Sequence, residues 1–418
     1  MKNQDTIAQP FTLPNGSIIK NRLLKSAMSE ALGKRDGAPK PDLAILYGAW
    51  AKGGIGICVT GNIMVDSRAL GEPGNVFVEN EDNIEALQTW AKAATQNNTH
   101  CWVQLNHPGK QTPKGMNKET VSPSAVPFRK DLQAFFKTPR ALEESEILDI
   151  IERFANAAII LKKAGFTGIQ IHGAHGYLVS QFLSPHANIR TDKWGGNAEN
   201  RRRFVLDVYK AIRARVGADF PISIKLNSAD FQRGGFTEEE SLDTIKVLSD
   251  AGMDLIEISG GTYEAPVMTG VKNELSSKKE STILREAYFL DFAEKARKNI
   301  KSPLAVTGGF RSLDGMNSAI STGAVDFVGI ARSLAIEPDL PNKLLSGKNP
   351  THTVKPLKTG IKMIDSMGLM EITWYTNQLK RIGNGEAPKP NESVYIVFFK
   401  FILHQIKLGF KKPQKMRA

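Results

Sequence analysis

The chain has 418 residues, of which 41% are hydrophobic, and a formal net charge of +12 at pH 7. This composition excludes a disordered chain and allows one large barrel domain with additional segments. Only two cysteines occur, Cys58 and Cys101, and both lie in apolar runs; this excludes a disulfide scaffold or a four-cysteine cluster. Residues 1–5 lack the apolar run of a signal peptide, so we expect a cytoplasmic location.

The positive charge does not indicate a nucleic-acid partner. Basic residues are scattered along helical faces and are not interleaved with exposed aromatic residues in a binding motif. The excess has one concentrated source at the C-terminus, where no Asp or Glu follows Glu392. We therefore expect small-molecule partners and no nucleic acid.

Near the N-terminus, residues 11–19 contain Asn15-Gly16 between apolar flanks, which predicts a β-hairpin that plugs the floor of a barrel. Eight short apolar runs then predict strands at Leu23 to Met28, Ile55 to Thr60, Cys101 to Leu105, Gly168 to Ile171, Ile222 to Leu226, Leu255 to Ser259, Leu304 to Thr307 and Phe327 to Ile330. Helical patterns lie between them at Asn83 to Thr95, Glu144 to Lys163, Arg202 to Val216, Glu238 to Ala251 and Arg285 to Asn299. Eight βα units of this kind predict an α/β fold, a TIM (β/α)8 barrel.

The segment His172-Gly-Ala-His175-Gly-Tyr177 places two imidazoles and a phenol at the end of one predicted strand. Parallel α/β barrels keep their sites at the carboxyl ends of strands. Metal binding is disfavoured because no third ligand is evident nearby. The plainer alternative is that both rings are satisfied polar groups in a tight turn. Two donors beside a Tyr also suit a substrate oxygen that gains negative charge and a carbon that needs a proton.

A phosphate site is indicated where two other predicted strands end. Gly308-Gly309 lets backbone N–H groups approach an anion, and Arg332, with Ala331 before it, offers a cationic fork. The glycines alone are equally consistent with a tight turn.

Several motifs in this order make the chain resemble the old yellow enzyme family of FMN-dependent ene-reductases over about residues 8 to 345. Besides the His-Gly-Ala-His-Gly-Tyr segment, they are Asn21-Arg-Leu-Leu-Lys-Ser-Ala-Met-Ser29, Trp102-Val-Gln-Leu-Asn-His-Pro-Gly109, Ile224-Lys-Leu-Asn-Ser-Ala-Asp230, Val306-Thr-Gly-Gly309 and Phe327-Val-Gly-Ile-Ala-Arg332.

The resemblance implies bound FMN, NADH or NADPH as reductant, and hydride transfer through flavin N5 to the activated C=C bond of an α,β-unsaturated carbonyl compound. It implies that Tyr177 is the proton donor and that His172 and His175 bind the substrate oxygen. The residues that it implies around FMN are Ser29, Gly61, Gln104, His172, Lys225, Gly308, Gly309, Ala331 and Arg332.

Two alternatives concern Lys225. It could form an ion pair in the barrel core, with Asp230 as a partner close in sequence. It could also be the Schiff-base lysine of a flavin-independent lyase or isomerase that acts on a phosphorylated metabolite. Gln104 could likewise be a satisfied buried amide.

Three segments are expected: an FMN-binding barrel at 1–350, an extension at 351–391 that packs on it, and a basic amphipathic tail at 392–418. The extension has Trp374, Tyr375, Gln378 and Leu379 at helical spacing. The tail is too short and too charged to span a bilayer. We expect it to cover an apolar surface of the barrel or of a neighbouring subunit in a homo-oligomer, with peripheral contact to an anionic membrane as the alternative.

Overall fold

The computed structural model describes residues 6–260, 283–310, 312–350, 357–360 and 369–399. Eight parallel strands form a closed barrel, because the first barrel strand pairs with both the second and the last. The TIM barrel predicted from the sequence is confirmed, with all eight strands at the predicted apolar runs.

The strands are numbered along the chain, and β3, β4, β6 and β9 to β13 form the barrel. They are β1 (Phe11–Thr12), β2 (Ile18–Ile19), β3 (Leu23–Lys25), β4 (Ile57–Met64), β5 (Val76–Phe77), β6 (His100–Asn106), β7 (Val121–Ser122), β8 (Arg140–Ala141), β9 (Gly168–Gly173), β10 (Ile222–Asn227), β11 (Leu255–Ser259), β12 (Leu304–Thr307) and β13 (Phe327–Ile330).

Helices follow most barrel strands and cover the barrel from outside. They are α1 (Pro41–Lys52), α2 (Ile84–Ala94), α3 (Glu144–Lys163), α4 (Leu178–Leu183), α5 (Ala198–Val216), α6 (Glu238–Asp250), α7 (Ile283–Arg297), α8 (Leu313–Ser321), α9 (Arg332–Ile336), α10 (Leu340–Leu345) and α11 (Leu369–Gly383). All five helical patterns predicted from the sequence correspond to helices.

The N-terminal hairpin closes the floor of the barrel. Strands β1 and β2 pair antiparallel, and Gly16 occupies the turn at φ +87°. Leu13 and Ile19 are buried against apolar side chains inside the barrel, including Trp102 and Phe327. The predicted plug is therefore confirmed, and it leaves the opposite end of the barrel open to ligands.

Helix α11 packs on the outside of the barrel. It contains the predicted set of Trp374, Tyr375, Gln378 and Leu379, all of which are buried. The Trp374 indole N–H donates to the carbonyl oxygen of Glu392 at 3.0 Å, which fixes the start of the following segment on the helix.

Residues 394–399 are helical and have two different faces. Val397 is fully buried in the core, whereas Tyr395 and Phe399 are 57% and 65% exposed. The remainder of the tail, 400–418, lies outside the described residues. Within the described part of the chain, no helix combines the length and apolarity needed to cross a bilayer.

Candidate active site

Polar side chains of four neighbouring strands meet inside the barrel above its apolar floor. The register places Gln104 of β6 beside Gln170 of β9, and Lys225 of β10 beside Glu257 of β11. His172 is the register partner of Lys225 on the other side. Because alternate residues of a strand share one face, a polar residue in each strand is enough to line this layer.

A continuous set of hydrogen bonds connects these side chains. Gln104 Nε2 donates to Gln170 Oε1 at 2.8 Å, and Gln170 Nε2 donates to Glu257 Oε2 at 2.8 Å. The other carboxylate oxygen of Glu257 accepts from Thr307 Oγ1 at 2.6 Å and lies 2.9 Å from Lys225 Nζ. These side chains therefore form one connected polar network rather than a set of isolated groups.

Glu257 is fully buried and ionised. Burial works against its charged form, but Lys225 and the hydroxyl donors Ser26 and Thr307 outweigh burial and hold the pKa of this carboxyl below its ordinary value. The Ser26 hydroxyl donates to Glu257 and accepts from Lys225 Nζ at 2.7 Å. A buried cation and a buried anion thus stand side by side at the centre of the barrel.

The core ion pair considered for Lys225 from the sequence is present, but its partner is Glu257 and not Asp230. Asp230 accepts from Ser184 Oγ at 2.6 Å and from the backbone N–H of Phe236 at 3.0 Å, and it makes no ion pair with Lys225. The reason is that Lys225 faces the barrel interior from within β10, whereas Asp230 lies in the loop after that strand. Its partner, Glu257, is close in space through the register of β10 and β11.

His172, His175 and Tyr177 form one cluster at the end of β9. The His172 ring centroid lies 5.1 Å from that of His175 and 4.7 Å from that of Tyr177. His175 Nε2 lies 2.9 Å from Ser259 Oγ, and Asn62 Nδ2 is 3.5 Å from the Tyr177 hydroxyl. The two histidines and the tyrosine predicted from the sequence are therefore close enough to contact one small ligand together.

Both imidazoles of the cluster are neutral at physiological pH. Burial, together with the charges of His175 and Lys225, holds the pKa of His172 well below its ordinary value of 6.5. Burial and Lys225 lower the pKa of His175 to about 3. Neutral imidazoles each keep one N–H donor, which suits them to hydrogen-bond an oxygen without losing a proton.

Ser29 lies four residues beyond the end of β3, and Gly61 lies within the neighbouring strand β4. The Ser29 hydroxyl donates to Glu72, a carboxyl whose pKa is raised by burial. The Gly61 backbone N–H donates to Glu30 Oε1 at 3.0 Å, and a Cβ at this position would lie 2.0 Å from Glu30 Oε2. The same Cβ would lie 2.4 Å from the backbone carbonyl oxygen of Met28, which cannot move aside as a side chain can, so this close approach requires glycine.

Gly308 and Gly309 follow β12 with φ of +109° and +91°, and among the described residues none but the chain neighbours lies within 4 Å of a Cβ placed on Gly308. Ala331 precedes α9, and Arg332 begins it. The Arg332 guanidinium forms an ion pair with Glu371 of α11 and is partly exposed. The structure thus adds a carboxylate, unforeseen from the sequence, to the predicted phosphate site.

Four polar residues of this region were missed by the sequence analysis: Gln170, Glu257, Asn62 and Asn106. Two of them carried a signal in the sequence, since Gln170 precedes His172 by two residues and Glu257 is the one charged residue in an apolar run. Two-residue alternation would have placed both on the inner face.

The residues present fit a flavin. His172 Nδ1, Asn62 Oδ1 and both amide atoms of Asn106 are buried without a hydrogen-bond partner among the described residues, which is costly unless a ligand satisfies them. Outside this polar set, a pocket that includes Gly176 adjoins the loop that carries His175 and Tyr177. It is lined by Lys110, Gln111, Phe128, Gly176, Ser180, Gln181, Ser184, His186, Ala187, Asp230 and Gln232.

Comparison with known proteins identifies similar sequences. The sequence model of the NADH:flavin oxidoreductase / NADH oxidase family matches residues 6–350. The NADH-dependent flavin oxidoreductase iliE of Hypocrea jecorina is 38% identical over 358 residues, covering 80% of this chain and 88% of that protein. The NADH-dependent flavin oxidoreductase iccE of Talaromyces variabilis is 34% identical over 405 residues, covering 90% and 98%.

Solved structures share the fold. A 2-naphthoyl-CoA reductase complex superposes with a TM-score of 0.75 at 25% identity, covering 90% of this chain and 58% of the other. An old yellow enzyme homologue from Zymomonas mobilis superposes with a TM-score of 0.70 at 24% identity, covering 84% and 95%.

Proposed function

Because this chain belongs to the NADH:flavin oxidoreductase / NADH oxidase family and is an FMN-dependent oxidoreductase that uses a reduced nicotinamide, we propose that it reduces the C=C bond of an α,β-unsaturated carbonyl compound. The resemblance to the old yellow enzyme family is confirmed by the same matches. The observation that carries the proposal is the cluster of His172, His175 and Tyr177 beside the polar layer of the barrel.

When bound, FMN would carry two electrons from the reduced nicotinamide to the acceptor. In the proposal, Gln104, Lys225, Ser29 and His172 would bind the polar edges of its ring, together with the backbone of Gly61 within β4. Gly308, Gly309, Ala331 and Arg332 would hold its phosphate, because backbone N–H groups and a guanidinium suit an anion.

The acceptor occupies the space between the histidines and the tyrosine. Neutral His172 and His175 donate hydrogen bonds to the carbonyl oxygen, which gains negative charge as the double bond is polarised. Tyr177 donates its hydroxyl proton to the α-carbon. The β-carbon takes up a hydride that originates from the reduced nicotinamide, so one hydride and one proton saturate the C=C bond.

An anaerobic spectral titration tests this proposal. Purified protein is titrated with NADH or NADPH and then with 2-cyclohexenone. We expect bleaching of the flavin absorption by the nicotinamide and its recovery on addition of the enone. Recovery only with oxygen would contradict the enone as acceptor while leaving the flavin oxidoreductase intact.

The family match favours this function over a flavin-independent lyase. Lys225 Nζ is also held by Glu257 and Ser26, whereas an imine-forming lysine must be able to attack a carbonyl. Borohydride trapping of a phosphorylated ketone on Lys225 in colourless protein would favour the lyase instead.

We also propose that the chain divides into a catalytic barrel at 1–350, an extension at 351–391 and a tail at 392–418. Val397 of the tail packs in the core, and we propose that the exposed face of the same helix attaches to an anionic membrane on its cytoplasmic side, which is the alternative stated from the sequence. Tyr395, Ile396 and Phe399 present an exposed apolar face, and the basic residues that follow carry no acidic counterpart. The buried, unpaired thiols of Cys58 and Cys101 suit a reducing compartment.

Flotation with vesicles containing an anionic lipid tests the tail. A protein ending at residue 399 and a variant with Tyr395, Ile396 and Phe399 all changed to Ser should both bind less than the full chain. Val397 is retained in each because it is part of the core. Equal flotation of all three would contradict membrane contact; loss of a dimer in sedimentation would instead identify the face as a subunit interface.

A further inference from the structure

The directional order of the amides in the barrel depends on Glu257. An ionised carboxylate only accepts hydrogen bonds, so Gln170 must turn its Nε2 toward Glu257 and its Oε1 toward Gln104. That oxygen in turn requires the Nε2 of Gln104 as donor. Gln104 therefore keeps its Oε1 and one N–H for a ligand. Their orientation is set by Glu257, which is two hydrogen bonds away from Gln104.

Glu257 also balances the charge of Lys225. Its carboxylate lies 2.9 Å from Lys225 Nζ, and Ser26 bridges the two groups. Both side chains are almost completely inaccessible to water. At this depth a charge acts on its neighbours more strongly than it would at the surface, so the field that reaches a ligand is that of the pair rather than of Lys225 alone.

We propose that Glu257 is a positioning residue that sets the reduction potential of the bound FMN. Reduction adds negative charge to the flavin ring, which Lys225 favours and Glu257 opposes. Glu257 thus holds the potential below the value that an unopposed lysine would give, and through Gln170 it fixes which atoms Gln104 presents. This inference rests on the proposed position of FMN next to Lys225 and Gln104.

The test measures the midpoint potential of purified holoprotein by equilibration with a reference dye. Glu257→Gln removes the anion, and we expect at least a tenfold change in the equilibrium constant with the dye in favour of reduced flavin, about 30 mV upward for a two-electron couple. Lys225→Met should shift the potential downward. The double variant should lie between the two single variants.

Asp254→Asn is the matched control. Asp254 directly precedes β11, the strand that carries Glu257, and lies at the end of the barrel opposite its open end. It is buried and forms an ion pair with Arg213 at 2.5 Å, so the substitution also removes a buried carboxylate from an ion pair. The midpoint potential of FMN in this variant should equal that of the wild type. Its melting temperature shows how much stability is lost when a buried ion pair is broken.

A potential for Glu257→Gln equal to that of Asp254→Asn, or lower, overturns the inference. If Glu257→Gln does not retain FMN, the double variant is compared with Lys225→Met, and the Glu257 change must still raise the potential. Wild-type protein that neither NADH nor NADPH reduces would overturn the proposed function as well. Wild-type protein that is reduced normally, with no shift in the variants, would overturn this inference alone.

Discussion

At the scale of single residues, the candidate active site depends on a backbone conformation that few residues other than glycine adopt. His175 has φ +62°, in the left-handed region. Its backbone N–H donates to Asn227 Oδ1 at 3.1 Å, and its carbonyl accepts from Gln111 Nε2 at 3.0 Å. Such a conformation costs energy and persists only where neighbours fix it. Here these bonds hold the second imidazole opposite the first.

Replacing Tyr177 with Phe tests the proposed proton donor. We expect reoxidation of the reduced enzyme by 2-cyclohexenone to slow by about 100-fold or more, because general acid catalysis contributes about 10²–10⁴-fold. Reduction by NADH should be little changed. Stopped-flow absorbance of the two half-reactions measures both rates.

Tyr209→Phe serves as the control for this prediction. The Tyr209 hydroxyl donates to the carbonyl of Ala251 outside the barrel mouth, at 3.0 Å. Reoxidation of this variant should match the wild type. Equal slowing of both half-reactions in Tyr177→Phe would indicate a binding or folding defect instead of a lost proton donor.

At the scale of elements, the N-terminal hairpin and α11 pack on different parts of the barrel and contribute in different ways. Strands β1 and β2 close the floor, and α11 places Glu371 on Arg332 next to the glycine loop after β12. One element contributes apolar burial, and the other contributes charge near the proposed phosphate site.

The floor of the barrel can be tested with a pair of substitutions in the hairpin. Leu13 is 2% exposed and Ile18 is 66% exposed. Leu13→Ala should lower the free energy of unfolding by about 2–5 kcal/mol, because it removes buried methyl groups and leaves a cavity. Ile18→Ala should change it by about 0.5 kcal/mol or less. Similar losses for both variants in urea denaturation would show that the hairpin does not act as a plug.

Because Arg332 and Glu371 form an ion pair, substitutions of these two residues should have opposite effects on FMN affinity. Arg332→Met should raise the dissociation constant for FMN by roughly tenfold or more, since a charge-assisted contact to the phosphate is lost. Glu371→Gln should lower it, because a carboxylate no longer competes for the guanidinium. Fluorescence titration of the apoprotein with FMN measures both constants.

Glu386→Gln is the control on the same side of the molecule. Glu386 forms an ion pair with Arg381, near the end of α11, at 2.9 Å, so the change removes a comparable charge. Its FMN affinity should equal that of the wild type. Weaker binding by Glu371→Gln would show that Glu371 supports the arginine instead of competing for it.

At the scale of the whole molecule, buried histidines couple stability to pH. Burial lowers the pKa of His107 to about 4, and that of His172 lies well below 6.5. A histidine with a lowered pKa binds fewer protons when folded than when unfolded. The stability from these groups is therefore present above about pH 6.5 and is lost as the pH falls toward their folded-state values.

We accordingly expect the free energy of unfolding to decrease between about pH 6.5 and pH 4 by about 1.4 kcal/mol per pH unit for each such histidine. Urea denaturation at a series of pH values measures this slope. His107→Gln should be less stable at pH 7 but should have a shallower slope. A slope identical to that of the wild type would assign the acid sensitivity to other groups.

The sequence was most informative where a local pattern decides the outcome. Apolar runs located the eight strands, because burial on both faces requires such runs in a parallel barrel. Asn15-Gly16 located the hairpin turn, since few residues adopt its backbone conformation. The proximity of His172, His175 and Tyr177 followed from their positions in one short loop.

By itself, then, the sequence determined the barrel, its plug and the residues that reach its open end, because these depend on periodicity and on neighbours along the chain. Only the tertiary structure decided that Lys225 pairs with Glu257 and not Asp230, and that Glu371 meets Arg332. Those pairs join residues 32 and 39 positions apart. Their contact is set by strand register and helix packing, whose geometry no local pattern records.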